Sequence, residues 1–124
     1  MTADKIINRL LYINKIESHI GEHIIKVLVG MRRSGKSYLM ISIIDRIKQL
    51  QPDANIIYIN KEYYEFDHIR NYHNLQAYFD GQYKAGNNNY LFVDEIQEID
   101  QFEKCIRNIF SKKLADIFVS GSNG

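Results

Sequence analysis

The sequence predicts an α/β fold in which helices cover both faces of a parallel sheet. Short apolar runs alternate with helical patterns along the chain, and a glycine-rich loop separates the first run from the helix after it. A later apolar run ends in two acids, Asp94 and Glu95. Strands that alternate with helices form right-handed βαβ units with parallel strands. Ligands bind such sheets at the carboxyl ends of the strands, where these polar residues lie.

The composition places the chain among ordinary globular domains. Its 124 residues, 45% hydrophobic and 25% charged, suffice for one small domain with a core. A net charge of +1 argues against nucleic acid as a partner. The single cysteine, Cys105, excludes an internal disulfide. No apolar stretch approaches the roughly 20 residues of a membrane span, and Asp4 and Glu17 interrupt any signal-like segment, so a cytoplasmic location is the default expectation.

The first elements are a helix and a strand. Residues 3–17 have apolar side chains near helical spacing, and Gly21 ends this helix. Residues 24–29 form the first strand, which is apolar on both faces apart from Lys26. This pattern is typical of a strand covered on both sides.

A second helix and strand follow the glycine-rich loop. The helix begins near Gly35, reaches Leu50, and stops at Gln51-Pro52-Asp53. Residues 55–60 form the second strand. The apolar face of the helix comprises Leu39, Met40, Ile43, Ile44 and Ile47.

The second half of the chain has a less regular pattern at first. Within residues 61–89, a helix is suggested around 75–79, and residues 86–89 form a loop. Residues 90–93 form the third strand. The last two elements are a helix at 100–112, with Asp100 and Glu103 as a capping box, and a fourth strand at 115–119. We expect Phe102, Ile106, Ile109 and Phe110 on the apolar face of that helix, and Cys105 as a small buried residue within it.

Residues 30–37 fit the pattern GxxxxGK[ST] between a strand and a helix, which identifies a P-loop and predicts nucleoside triphosphate binding. Gly30 and Gly35 let the backbone approach an oxyanion, and the helix N-terminus adds its dipole. Lys36 places a charge on the β- and γ-phosphates, and the Ser37 hydroxyl can bind Mg²⁺. The candidate nucleotide-binding residues are Gly30, Arg32, Arg33, Ser34, Gly35, Lys36, Ser37 and Tyr38. Whether Arg32 and Arg33 contact phosphate or only solvent stays open.

Asp94 and Glu95 supply the acids that a P-loop requires on a neighbouring strand. Asp94 is placed to hold the Mg²⁺ shell together with Ser37, and Glu95 to activate a water as general base. This acid pair favours an ATP hydrolase over kinases and GTPases; the alternative is that the acids only cap a buried strand. After the fourth strand, Asn123 or, second, Ser122 is the candidate sensor of the γ-phosphate, and the alternative there is a simple polar turn.

One segment only imitates a nucleotide-binding motif. Residues 60–62 begin like the guanine-reading NKxD of GTPases, but Tyr63 occupies the aspartate position. We interpret this segment as a loop.

Four segments together resemble one family: GMRRSGKSYLM from Gly30, YIN at 58–60, LFVDEIQEID from Leu91, and FVSGSNG from Phe118. The chain resembles the archaeal and bacterial AAA-type ATPases in which an N-terminal ATPase domain precedes a C-terminal domain of unknown function. The resemblance implies ATP or ADP and Mg²⁺ as ligands and a strand order of 5-1-4-3-2. It also implies the roles given above for Lys36, Ser37, Asp94 and Glu95, with Asn123 or Ser122 as sensor.

Members of that family continue into a fifth strand, a helical lid and the C-terminal domain, whereas this sequence stops after the predicted fourth strand. We therefore expect a single, incomplete P-loop ATPase domain at 1–124, with an N-terminal helical segment at 1–21 and a nucleotide-binding core at 22–124. We expect little ATP turnover from this chain alone, because the resemblance places the arginine finger and lid in the missing parts. The first strand becomes a sheet edge, and we favour self-association there over cover by helix 3–17.

Two other functions remain as alternatives to an AAA-type ATPase or molecular switch. One is a nucleotide-binding module without significant hydrolysis. The other is an interaction protein whose central aromatic residues stack on single-stranded nucleic acid, although core packing explains them better. The four histidines have no metal-ligand spacing with Cys105, which disfavours a zinc site.

Overall fold

The computed structural model describes residues 25–28 and 33–121, with side chains from Ser37 onward in the first of its helices. Strands and helices alternate, as the sequence predicts. The strands are β1 (Ile25–Leu28), β2 (Asn55–Asn60), β3 (Asn89–Asp94) and β4 (Asp116–Ser120). The helices are α1 (Arg33–Leu50), α2 (Tyr72–Gln82) and α3 (Phe102–Ser111).

The described strands form a parallel sheet in the order β1-β4-β3-β2. This is the order that the family resemblance implies for these strands. The central strand β3 is buried along its whole length, which explains its run of aromatic and aliphatic residues. Because all the strands run the same way, the carboxyl ends of β3 and β4 meet at one edge, where Val93 is in register with Val119.

Helix α1 covers one face of the sheet. Its predicted apolar stripe is confirmed, since those five side chains are at most 5% exposed. Phe92 and Phe118 stack beneath the helix with ring centroids 4.5 Å apart. This core consists of Leu28, Leu39, Met40, Ile43, Ile44, Ile47, Tyr90, Phe92 and Phe118.

Helices α2 and α3 cover the opposite face. Asn71 caps α2, because its side chain accepts a hydrogen bond from the backbone N–H of Asn74. Cys105 in α3 is 1% exposed, which confirms it as a small buried residue. The core on this side includes Ile57, Ile59, Ile69, Leu75, Phe79, Leu91, Val93, Cys105, Ile106, Ile109, Ile117 and Val119. Two helix-covered faces give the predicted three-layer α/β/α arrangement.

Strand β1 lies at the edge of the described sheet and is less covered than predicted. Val27 is 49% exposed, so the expectation of cover on both faces is wrong for this residue. Lys26 is buried on the α1 side, where its Nζ lies 2.9 Å from Asp116 Oδ1. The Nζ also lies 5.2 Å from the centroid of the Phe118 ring. Pairing with a carboxylate allows a lysine in an otherwise apolar strand.

The predicted capping box at the start of α3 is wrong. The helix begins at Phe102, and its N-cap is Gln101, whose side chain makes no capping hydrogen bond. Asp100 instead forms a bridge with Asn71. The predicted fourth strand is shifted by one residue, and Asn89 belongs to β3 rather than to the preceding loop.

Several predictions concern residues outside the described ranges. They are the helix at 3–17, the N-terminal segment 1–21, the ends of the first strand at 24 and 29, and the loop residues Gly30 to Arg32. Ser122 and Asn123 also lie outside these ranges.

Candidate functional site

Asp94 is the centre of the candidate site. It ends β3 and is 0% exposed. Its Oδ2 accepts a hydrogen bond from Ser37 Oγ in the first turns of α1, and its Oδ1 accepts one from Ser120 Oγ at the end of β4. The fold thus joins the last residue of the P-loop pattern to the acid of the second motif, 57 residues away.

Ser120 is a site residue that sequence reasoning missed. It is fully buried, and its Oγ also accepts a hydrogen bond of 3.0 Å from the backbone N–H of Glu95. One hydroxyl therefore fixes both the side chain of Asp94 and the backbone of the next residue. The contacts of Ser120 follow from the register between β3 and β4. In the sequence alone, a serine at a strand end indicates only a turn.

Glu95 adopts an unusual backbone conformation directly after β3. Its φ of 61° and ψ of 51° lie in the left-handed region, and the residue is 5% exposed. A left-handed conformation at a residue other than glycine costs of order 1–3 kcal/mol and is concentrated at functional sites. The Glu95 Oε2 accepts a hydrogen bond of 2.5 Å from Gln97 Nε2.

The end of β2 lies beside these acids. Asn60 is in register with Asp94, and the backbone N–H of Lys61 donates to the Asp94 carbonyl at 3.1 Å. Asn60 Nδ2 donates to the Tyr58 hydroxyl at 3.1 Å, and burial raises the pKa of that hydroxyl to about 12. Burial lowers the pKa of Lys61, whose Nζ donates to the Phe66 carbonyl at 2.6 Å.

An open cleft of about 500 Å³ lies next to Glu95. Its lining is mostly acidic and comprises Lys61, Glu62, Asp67, Glu95 and Glu98. Residues 60–62 are interpreted from the sequence as a loop, and the structure places Lys61 and Glu62 in the lining of this cleft.

The other predicted site residues lie at the start of α1 or outside the described ranges. Arg33, Ser34, Gly35 and Lys36 form the first turn of α1, and their side chains are not described. Tyr38 is 58% exposed. The structure thus brings Ser37 into contact with Asp94, which Glu95 follows directly. The roles of Gly30, Arg32, Ser122 and Asn123, which lie outside the described residues, remain predictions.

The donor set around Asp94 suits a hard cation. A serine hydroxyl and a carboxylate meet at the N-terminal end of a helix, and Mg²⁺ prefers oxygen ligands of this kind. These two groups would be only part of a metal's ligand shell, because the described residues include no cluster of three or more His, Cys, Asp or Glu side chains that could hold a metal ion.

A parallel α/β sheet with GxxxxGK[ST] before its first helix, whose serine contacts an acid at the end of a central strand, defines a P-loop nucleotide-binding fold. A family model described as "AAA domain" matches residues 22–124, and the chain belongs to this family. It is thus an ATPase-like nucleotide-binding module.

Two relatives are described only as uncharacterized proteins. One, from Haemophilus influenzae, is 28% identical over 120 residues, which cover 95% of this chain and 30% of the relative. The other, MJ1544 from Methanocaldococcus jannaschii, is 34% identical over 119 residues, or 96% of this chain and 24% of the relative. The chain thus spans less than a third of the length of either relative. No solved structure matches it. None of the helices in the described part has the length and apolarity that crossing a membrane requires.

Proposed function

We propose that this chain binds ATP and ADP and that it is the Mg²⁺-dependent ATP-hydrolysing domain of a longer protein. The contact between Ser37 and Asp94 carries this proposal. It joins the phosphate-binding loop to the acid that the chemistry requires, and the parallel sheet directs both to the edge where ligands bind.

Phosphoryl transfer depends mainly on positioning and on neutralising charge. Lys36 and the backbone of the first turn of α1 would hold the phosphates, since a helix N-terminus attracts anions. Ser37 and Asp94 would hold Mg²⁺, which supplies positive charge to the phosphate oxygens. Ser120 would keep Asp94 in place through its hydrogen bond to Oδ1.

Glu95 is the proposed general base. It follows Asp94 directly, and its backbone is held by the bond to Ser120. A base must reach a water molecule beside the γ-phosphate, and the neighbouring residue Asp94 contacts Ser37 of the phosphate-binding pattern, which supports this role for Glu95. The strained backbone of Glu95 is consistent with a conformation kept for function.

The first experiment tests nucleotide binding with Lys36→Ala. Removing the charge should weaken ADP binding in calorimetry by roughly 2–3 kcal/mol. Lys48→Ala, an exposed lysine in the last turn of the same helix, is the matched control and should bind ADP like the parent. Equal affinity of Lys36→Ala and the parent would contradict the P-loop assignment.

The second experiment separates the roles of the two acids. In the longer protein that contains this domain, Glu95→Gln keeps the shape and removes the base, so it should bind ATP normally and lose hydrolysis. Asp94→Asn should instead weaken the dependence of ATP binding on Mg²⁺. Glu103→Gln and Asp53→Asn, both at exposed acids outside the cleft lining, are the matched controls. If Glu95→Gln hydrolyses ATP at the parent rate, Glu95 is not the base.

A further inference from the structure

Gln97 contacts the proposed base directly. It lies in a short 3₁₀ turn, Ile96–Glu98, and its Nε2 donates to Glu95 Oε2 at 2.5 Å. The turn is closed by a hydrogen bond of 3.2 Å from the backbone N–H of Glu98 to the Glu95 carbonyl. The amide of Gln97 therefore reaches back to a carboxylate on the same short loop.

The oxygen of the same Gln97 amide lies close to the residue that follows β4. A Cβ added at Gly121 would lie 3.0 Å from Gln97 Oε1, a distance tighter than almost all real contacts. Gly121 follows Ser120, which bonds both Asp94 and the backbone of Glu95. Gln97 therefore spans the gap between the Glu95 carboxylate and the end of β4, and glycine at 121 leaves the space that its amide occupies.

A carboxylate works as a general base only when it is oriented correctly, and a misplacement of about 1 Å can cost around 10²-fold in rate. The short backbone segment after β3 fixes the Cα of Glu95, but its side chain retains several rotatable bonds. A donor that engages Oε2 selects one orientation of the carboxylate. Gln97 is suited to this because its amide has donor and acceptor groups without a charge.

We propose that Gln97 is the positioning residue for Glu95, and that the end of β4 acts on the base through the contact between Gly121 and Gln97. This inference rests on the proposed role of Glu95 as general base. Gln97 does not react itself: it holds the carboxylate where a water can be activated. A movement at the end of β4 would change this orientation.

Steady-state hydrolysis by the longer protein that contains this domain tests this role. Gln97→Ala should lower kcat about 10- to 100-fold and leave KM for ATP and the Kd for ADP within about twofold. Gln97→Glu keeps the length of the side chain but lacks the N–H donor, so it should lower kcat at least as much as Gln97→Ala does. Gln49→Ala, at an exposed glutamine of α1, is the matched control and should retain the parent kcat. An unchanged kcat in Gln97→Ala would overturn the inference.

A double-mutant cycle tests the contact with β4. Gly121→Ala should displace the amide of Gln97 and lower kcat, whereas Gly121→Ala in the Gln97→Ala background should add nothing, because the crowded atom is gone. Equal losses in the two backgrounds would mean that Gly121 acts on something else.

Nuclear magnetic resonance tests the geometry independently of hydrolysis. The side-chain amide protons of Gln97 should exchange with water about 3- to 10-fold more slowly than those of Gln49, as one net hydrogen bond implies. Glu95→Ala should abolish this difference, and Gly121→Ala should reduce it. Identical exchange of Gln97 in the parent and in Glu95→Ala would overturn the inference.

The failures of the two proposals are distinguishable. Parent-like hydrolysis by Glu95→Gln would refute Glu95 as the base, whatever Gln97 does. Loss of hydrolysis in Glu95→Gln together with a parent-like rate in Gln97→Ala would refute only the positioning role.

Discussion

At the scale of single residues, Ser120 is the side chain on which the geometry of the site depends most. Its hydroxyl donates to Asp94 and accepts from the backbone N–H of Glu95, with all three residues buried. Removing that hydroxyl leaves a buried carboxylate and a buried amide each short of one hydrogen bond. A buried polar group left without a hydrogen bond destabilises the folded state by more than the net stabilisation that the hydrogen bond provided.

We expect Ser120→Ala to lower the free energy of unfolding by about 1–3 kcal/mol, measured by urea denaturation. Ser111→Ala is the control, because the Ser111 hydroxyl is exposed and bonds only to the Asn108 carbonyl at the end of α3. It should stay within about 0.5 kcal/mol of the parent. Equal stabilities of the two variants would mean that the hydroxyl of Ser120 is dispensable.

Cys105 gives a prediction for alkaline pH. Burial, with a smaller effect of Asp80, raises the pKa of its thiol from 9.0 to about 12. Between these two values the unfolded chain loses the proton while the folded protein keeps it, so this group lowers stability as the pH rises. We expect the parent to lose more stability than Cys105→Ala between about pH 8 and about pH 10 in urea denaturation. Parallel losses would show that the thiol does not contribute.

Some residues of the site could be predicted from local sequence patterns, and others could not. Ser37 and Asp94 belong to patterns whose spacing and flanking elements are local, so both could be predicted before any fold was known. Ser120 bonds to residues at the end of the neighbouring strand, and Gln97 lies close to Gly121 beyond the end of β4. Those contacts depend on the register of β4 beside β3, which no local pattern encodes.

At the scale of secondary-structure elements, helix α1 contributes both to the stability of the fold and to the candidate site. Its buried stripe packs on the sheet, and its first turns present Ser37 to Asp94. Since the helix is long and its apolar side chains contact a single face, its position depends on that packing.

Two isoleucines of α1 allow a matched test. Ile43 is fully buried and Ile41 is 44% exposed. Ile43→Ala should cost about 2–5 kcal/mol, as large-to-small changes in a core do, and Ile41→Ala should cost well below that. Urea denaturation, analysed with one dependence of the unfolding free energy on urea concentration for both variants, measures the two losses of stability. Similar losses would contradict the assignment of the buried face.

The start of α3 explains why one element could not be predicted correctly. Asp100 and Glu103 have the spacing of a capping box, but the backbone of Asp100 is used elsewhere. Its N–H donates to the Arg70 carbonyl, and its carbonyl accepts from Tyr72. This pairing with a distant segment delays the helix to Phe102, and Gln101 takes a left-handed conformation at the turn. The amphipathic stripe of α1 has no such competitor, and its prediction was correct.

At the scale of the whole molecule, the position of β1 at the edge of the described sheet predicts self-association. The strand carries an apolar side chain, Val27, that is half exposed, and edge strands recruit other strands. We expect the chain to self-associate in light scattering, and Val27→Lys to shift it toward the monomer. Ile41→Lys makes the same change on an exposed face of α1 and should leave the association intact. A parent that stays monomeric at high concentration would refute this expectation.

The pairing of β1 with β4 also has a consequence for the order of events during synthesis. Lys26 and its partner Asp116 are separated by 90 positions in the chain. At translation rates of about 5–20 residues per second, the ribosome needs roughly 5–18 s to make the intervening segment. During that interval β2, α2 and β3 can assemble, whereas β1 cannot pair with β4 until β4 has been made. The P-loop pattern directly follows β1 in the sequence, so we expect this part of the chain, although made early, to take up its final position only after β4 is made.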